Sequence, residues 1–291
     1  MNKSAALSNK IDFAVIFRVK NANPNGDPLN GNRPRSDYEG IGEVTDVCIK
    51  RKIRDRLVEA KDEKGNFKHE VFVQSDDRKL DDAKSLKDRA EKALGKDINS
   101  SKTVELACKK WIDVRAFGQL FAFSGKKAKK EENAENESGI SIPIRGPVSV
   151  HFAFSISPVS VTSTQITKSV SGEGGKDGKR GSDTMGMKYR VDQGVYVFFG
   201  GMNPQLAERT GFSDADADAI KEVLPKLFEN DASSARPEGS MEVLKVFWWI
   251  HNSKSGQYSS AKVHRSLKVN PDGSYELQPL DGLKAEVIDG F

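Results

Sequence analysis

With 291 residues, 36% of them hydrophobic and 30% charged, the chain is large enough for one sizeable core or two smaller ones. A formal net charge of +4 is too modest to mark the whole surface as polyanion-binding, so where the cations cluster matters more than their total. No run approaches the roughly 18 apolar residues of a membrane-spanning helix, and residues 1–10, MNKSAALSNK, carry no apolar export segment, so a cytoplasmic protein with no membrane partner is expected.

Residues 11–19, IDFAVIFRV, are β-branched and aromatic and read as a central strand. A loop rich in Asn, Gly and Pro follows, and then a helix over 45–60 in which Ile49, Ile53 and Leu57 recur at fourfold spacing. A strand is expected at 67–74 and helices at 79–95 and 102–112. Strand-like runs follow at 113–123, 140–157, 194–200 and 242–250, with a helix at 213–230 that Ser213 caps and Pro225 kinks or shortens. Strands and helices alternate without regular βαβ spacing. The expected fold class is therefore α+β and ferredoxin-like, an antiparallel sheet with helices on one face. Cys48 and Cys108, each in an amphipathic helical segment, read as small core thiols rather than as a disulfide or metal pair.

Two stretches interrupt this pattern. Residues 125–139, GKKAKKEENAENESG, put lysines before glutamates with no large apolar residue and read as a mobile, solvated loop. Residues 171–186 are glycine-rich and basic, between the strand-like flanks 165–168 and 185–190. The whole unit, about 160–190, reads either as a projecting hairpin with a basic tip or as a disordered surface loop.

Chemistry-bearing constellations are few. The helix over 45–61 carries Lys50, Arg51, Lys52, Arg54, Arg56 and Lys61, with Lys50 and Arg54 one turn apart on one face. The preceding GIGEVT offers backbone N–H groups near a helix N-terminus, which favours anions, and the loop adds Arg33 and Arg35. These would grip phosphates without reading sequence; the alternative is an ordinary solvated amphipathic helix. In DVRAFG (113–118), Arg115 and Phe117 alternate along an expected strand and would share one face as a single-strand stacking platform, or else lie as an edge residue and a core residue. DADAD at 214–218 lacks the Gly and Glu of a calcium loop, and the four histidines, His69, His151, His251 and His264, show no metal-ligand spacing. His151 and His251 read as structural. No cofactor, no metal site and no enzymatic activity are expected.

The motifs NPNGDP (23–28), PR (34–35), GIGEVTDVCIKRKIRD (40–55), DVRAFG (113–118), RGPVSVHFAFSISPV (145–159), QIT (165–167), TMGMK (184–188) and GVY (194–196) occur in order over roughly residues 10–200. Together they resemble the Csd-type backbone subunit of type I-C CRISPR Cascade surveillance complexes, in the RAMP superfamily. The resemblance implies a single RAMP-type domain over 1–291: an RRM-like palm, a helical, fingers-like insertion at about 60–112, and a β-hairpin thumb at about 160–190. It implies a non-catalytic scaffold that polymerises along a CRISPR guide RNA and presents it for pairing with a target DNA strand in antiviral defence. Its partners would be that RNA, that DNA, further copies of itself and other Cascade subunits. Within these stretches and the constellations above, the expected RNA-binding positions are Asn23, Asn25, Arg33, Arg35, Thr45, Lys50, Arg51, Arg54, Arg115, Phe117, Arg145, Gln165, Thr167, Lys168, Met185 and Lys188. The alternatives are a RAMP-type endoribonuclease processing CRISPR precursor RNA, with Tyr38 or a lysine serving where histidine is absent, and a self-assembling protein with no nucleic-acid partner.

Overall fold

The run IDFAVIFRV forms the middle of strand β1 (Ile11–Ala22), and every side chain from Ile11 to Phe17 is buried. Burial on both faces is what an uninterrupted apolar strand requires. The computed structural model describes residues 5–98, 100–122, 141–167 and 185–291. The charged loop expected at 125–139 and most of the glycine-rich stretch, with Lys168, Lys176, Lys179 and Arg180, lie outside the described residues.

After β1 the Asn-rich loop carries two short strands, β2 (Gly26–Asp27) and β3 (Arg33–Ser36), and passes through β4 (Ile41–Val44) into helix α1 (Asp46–Glu59). Three helices follow, α2 (Leu86–Leu94), α3 (Thr103–Lys110) and α4 (Ile112–Phe117), then the paired strands β5 (Gly118–Ala122) and β6 (Ser141–Arg145). The chain continues through β7 (Val148–Val150), β8 (Ala153–Pro158), β9 (Val161–Thr167) and the long β10 (Met185–Met202). Helices α5 (Pro204–Thr210) and α6 (Asp214–Val223) precede β11 (Met241–Ile250). The last elements are α7 (Ser260–Arg265), the paired β12 (Leu267–Val269) and β13 (Tyr275–Leu277), and β14 (Ala285–Asp289).

The ten-stranded main sheet runs in the order β14-β11-β1-β10-β8-β4-β3-β2, with β7 and β9 also paired to β10. Its ladders are antiparallel, from Ile11 opposite Met202 to Ala22 opposite Val191 along β1 and β10. Alternation along the strands sorts the two faces. Phe13, Val15, Phe17 and Val19 join Tyr196 and Phe198 under Ile49, Ile53 and Leu57 of α1 and Ile220 of α6. Ala14 and Ile16 face the other way with Val195, Phe247 and Trp249, covered by Val263 of α7 and Leu267 of β12. This second cover, a short helix and a small hairpin, adds to the one helical face expected from sequence. A separate apolar cluster, with Phe72, Ala90, Leu94, Trp111 and Phe121, ties α2, α3 and α4 to β5 and β6.

Several elements differ from expectation. Of the strand expected at 113–123, residues 118–122 form β5, but 113–117 belong to the helix α4. Ile112 and Ala116 enter the main core while Val114 enters the smaller cluster, so an apparent two-residue alternation is a helix buried on both sides. The turn out of it needs Gly118, whose φ of +81° and approach to the Ile144 carbonyl leave no room for a Cβ. The strand expected at 67–74 does not form beyond an isolated bridge at Phe67; the segment is irregular, and Asp113 accepts the N–H groups of Phe72 (2.7 Å) and Val73 (3.0 Å). The helices expected at 79–95 and 102–112 shorten to α2 and α3. The run 140–157 divides into β6, β7 and the start of β8, and 194–200 is the inner half of β10. Helix α6 ends at Val223, one residue before a 3-10 turn that contains Pro225.

Candidate nucleic-acid interface

The Asn-rich loop is built from its own side chains. Asn23, nearly buried, donates to the Asn32 carbonyl (2.6 Å) across the loop. Asn25 Oδ1 accepts from both the backbone N–H (2.9 Å) and the hydroxyl (3.0 Å) of Thr45, and Thr45 Oγ1 in turn caps α1 by accepting from Cys48 N–H. Asp27 accepts from Leu29 N–H and pairs with Arg35 at 3.1 Å. The Arg33 guanidinium lies 4.7 Å from the centre of the Tyr189 ring, joining this loop to β10.

Several N–H groups at GIGEVT and the start of α1 that were expected to favour anions are already taken within the chain. The Ile41 N–H goes to Asp37, Gly42 N–H to the Ser155 hydroxyl (2.8 Å), and Thr45 and Cys48 N–H to the caps just described. Asp46 adds a negative charge in the first helical turn.

The α1 cations are likewise paired within the chain. Lys50 binds Asp46 (2.8 Å), Arg54 binds the buried Asp113 (2.9 Å), and Arg56 binds Glu59 (3.0 Å). Lys52, expected as one of a solvated run, is fully buried and paired with Asp231. Burial pushes its ammonium below the usual lysine range against the pull of Asp231. Burial alone would raise the Asp231 carboxyl, but Lys52, Arg236 and Arg51 hold it below its ordinary value. Arg51 is the loosest and most exposed of the α1 cations, 3.3 Å from Asp55 and 3.8 Å from Asp231. The shared open face expected of Lys50 and Arg54 is therefore split. Lys50 stays at the surface, whereas Arg54 turns inward and covers the Phe117 ring at 5.1 Å.

The single-strand platform expected of Arg115 and Phe117 does not form either. On α4, Arg115 makes a two-pronged pair with Asp216 (2.6 and 3.0 Å) and donates to the Cys108 carbonyl, while Phe117 packs on the main core. The Asp216 that receives it closes the capping box of α6 with Ser213, which is the cap expected from sequence. Arg145 is exposed at the end of β6.

β9 and β10 pair from Val161–Val191 to Thr167–Met185 and extend beyond the strands on either side. Near the far end of this ladder Gln165, Ile166, Thr167, Met185, Met187 and Lys188 are all exposed, and the Gln165 amide meets the Met185 sulfur at 3.0 Å. Lys188 donates to the Ser234 carbonyl at 3.3 Å. Loop, helix N-terminus and hairpin base are thus brought together at one region of the sheet, while Arg54, Arg115 and Phe117 lie in the packing behind it.

Sequence reasoning missed Tyr189, the Lys52–Asp231 pair, and an exposed aromatic pair, Phe152 and Phe154, whose rings stack 6.4 Å apart. The alternation of Phe with small residues in FAFS (152–155) was the available sequence signal for the last of these. His251 is buried against Asp12 (2.9 Å), as expected for a structural residue, but His151 is exposed and meets His264 edge to face. Among the described residues no group of three His, Cys, Asp or Glu side chains has metal-binding geometry.

A family model described as CRISPR-associated protein Cas7 matches residues 9–286. A CRISPR-associated protein Cas7 from Haloferax volcanii is 25% identical over 294 residues, covering 97% of this chain and 81% of the relative. Among solved structures, a chain of a CRISPR RNA-guided surveillance complex, pre-nicking, superposes with a TM-score of 0.46 at 15% identity, over 87% of this chain and 81% of that one. A second CRISPR RNA-guided surveillance complex chain gives a TM-score of 0.43 at 16% identity, over 91% and 77%.

Proposed function

The chain belongs to the CRISPR-associated Cas7 family, and from that premise we propose that it is a backbone subunit of an RNA-guided surveillance complex. Copies line up along a CRISPR guide RNA, hold it, and present it for pairing with a target DNA strand alongside other Cascade subunits in the cytoplasm. The subunit is a scaffold and does not cut its guide. The motifs at 23–28, 40–55, 145–159 and 184–188 favour a type I-C complex.

On this reading the main sheet with α1 is the RRM-like palm, the insertion around α2 and α3 the fingers, and the β9–β10 hairpin the thumb. The observation that carries it is the meeting of the Asn-rich loop and the start of α1 with the distant base of the hairpin, through the Asn25–Thr45 bonds and the Arg33–Tyr189 stack. Around that meeting point Lys50, Arg51, Lys188 and Arg190 reach the surface. They supply the sequence-independent phosphate contacts a guide scaffold needs. Asn23, Asn25, Arg35 and Thr45 shape the loop that faces the RNA. Arg33 and Tyr189 offer a flat cationic surface for a nucleotide. Arg54, Arg115 and Phe117 support the interface from behind.

The experiment is purification without added nuclease, followed by extraction and sizing of bound RNA. Guide RNA of discrete length, left uncut on further incubation with the protein, supports the reading. Protein free of RNA, or a specific cut that vanishes on replacing Tyr38, contradicts it.

A further inference from the structure

The segment from Asn230 to Arg236 lies outside every motif and outside the regular elements, yet it touches each part of the proposed interface. Asp231 faces three cations: the buried Lys52, Arg236 at 2.9 Å and Arg51 at 3.8 Å. The Ala235 carbonyl accepts the N–H of Asn23 (2.8 Å), where the Asn-rich loop begins. The Ser234 carbonyl accepts from Lys188 of the hairpin. A tight turn, with Ser233 and Arg236 exchanging backbone bonds at 2.8 and 3.1 Å, holds those carbonyls in a fixed relation to Asp231.

We propose that this segment is the joint that sets the separation of α1, the Asn-rich loop and the hairpin, and that Asp231 is its positioning residue; the inference rests on the RNA-scaffold reading above. A carboxylate is the wrong charge for a surface that holds phosphates, and removing it from water is costly. Its position makes sense if it fixes geometry. Lys52 is only 1% exposed and has its ammonium in the packing beside the Phe228 ring, so it requires a partner there. That requirement pins Asp231 to α1. The short turn then transmits the position to Ser234 and Ala235, and through them to the hairpin and the loop.

The sign of one substitution separates positioning from charge. If Asp231 acts only as a negative charge, Asp231→Asn tightens RNA binding. As a positioning residue, its loss weakens binding of a labelled guide RNA about tenfold. The dependence on salt concentration keeps the wild-type slope, because no phosphate contact is removed. Asp231→Glu recovers part of the affinity. Hydrogen exchange on the RNA-free protein gives the second readout: amides of 185–191, Asn23 and Asn25 exchange faster in Asp231→Asn than in wild type. Should that variant not fold, Arg236→Gln, which removes one arm of the node, carries the same exchange measurement. Equal or tighter binding by Asp231→Asn, or unchanged exchange at these amides, overturns the joint while wild-type RNA binding stands. Wild-type protein that retains no guide overturns the RNA reading itself.

Discussion

Arg54 and Lys50 sit one turn apart on the same helix and do different things. Arg54 is the cation for a buried carboxylate, Asp113, that also holds two backbone N–H groups of the 71–73 segment. Lys50 is in a surface i,i+4 pair with Asp46, worth a few tenths of a kcal/mol at most. Arg54→Ala is therefore expected to lower stability by about 2–4 kcal/mol, measured by urea unfolding. The double change Lys50→Ala and Arg51→Ala is expected to cost much less stability and to reduce RNA retention and its salt slope together. Equal loss of stability in both variants would contradict this division. Two histidines add a pH dependence. Burial lowers the pKa of His264, with His151 and Lys10 adding and Asp12 and the Gly200 carbonyl opposing. Burial also lowers that of His69, with Arg115 and Lys68 adding and Asp216 opposing. Both are held neutral in the folded state, so the stabilisation is present above the unfolded value of 6.5 and is lost as pH falls below it toward the folded values. Thermal midpoints should drop between about pH 8 and about pH 5.5, and His264→Gln should flatten that drop; a wild-type curve that is level, or that rises toward acid, would refute the assignment. At this scale the sequence shows local chemistry well. Ser213 announces itself as a cap by type and position. It does not show partners brought by the fold: Lys52 is buried because Asp231, 179 residues away, meets it, and Arg115 turns to Asp216 101 residues on.

Among the elements, β1 and β11 are readable because apolar runs of that length have few other places to go. α4 is not, because six residues alternate acceptably for a strand and are a single buried turn and a half in the protein. Its exit depends on Gly118, and Gly118→Ala is expected to cost several kcal/mol, since the new Cβ would lie 2.2 Å from the Ile144 carbonyl oxygen at a φ of +81°. A urea midpoint like that of the wild type would contradict this placement of the turn. The hairpin is the element on which the function leans most. Its base is a seven-residue ladder from Val161–Val191 to Thr167–Met185, anchored in the sheet through the rest of β10. Deleting residues 171–183 should therefore leave the sheet folded. On the proposed reading, the exposed Ile166, Met185 and Met187 would wedge against bases once per subunit. Chemical probing of the guide should show reactive nucleotides at a regular interval that the deletion abolishes; an aperiodic wild-type pattern, or one unchanged by the deletion, would refute the role.

For the whole molecule, a net charge of +4 and an α1 whose cations are paired internally mean that, among the described residues, α1 is not a strongly basic face. On the proposed reading, affinity for RNA comes from many modest contacts repeated along a polymer, each copy adding a few phosphates. Antiparallel order was legible from the absence of βαβ spacing. The layer of α7, β12 and β13 on the second face was not, because its short elements carry little periodicity of their own. The most direct test of the scaffold is the mass of particles assembled on guides of graded length. Copy number should rise in steps as the guide is lengthened and fall as it is shortened; a copy number independent of guide length, or particles of the same mass without RNA, would contradict it.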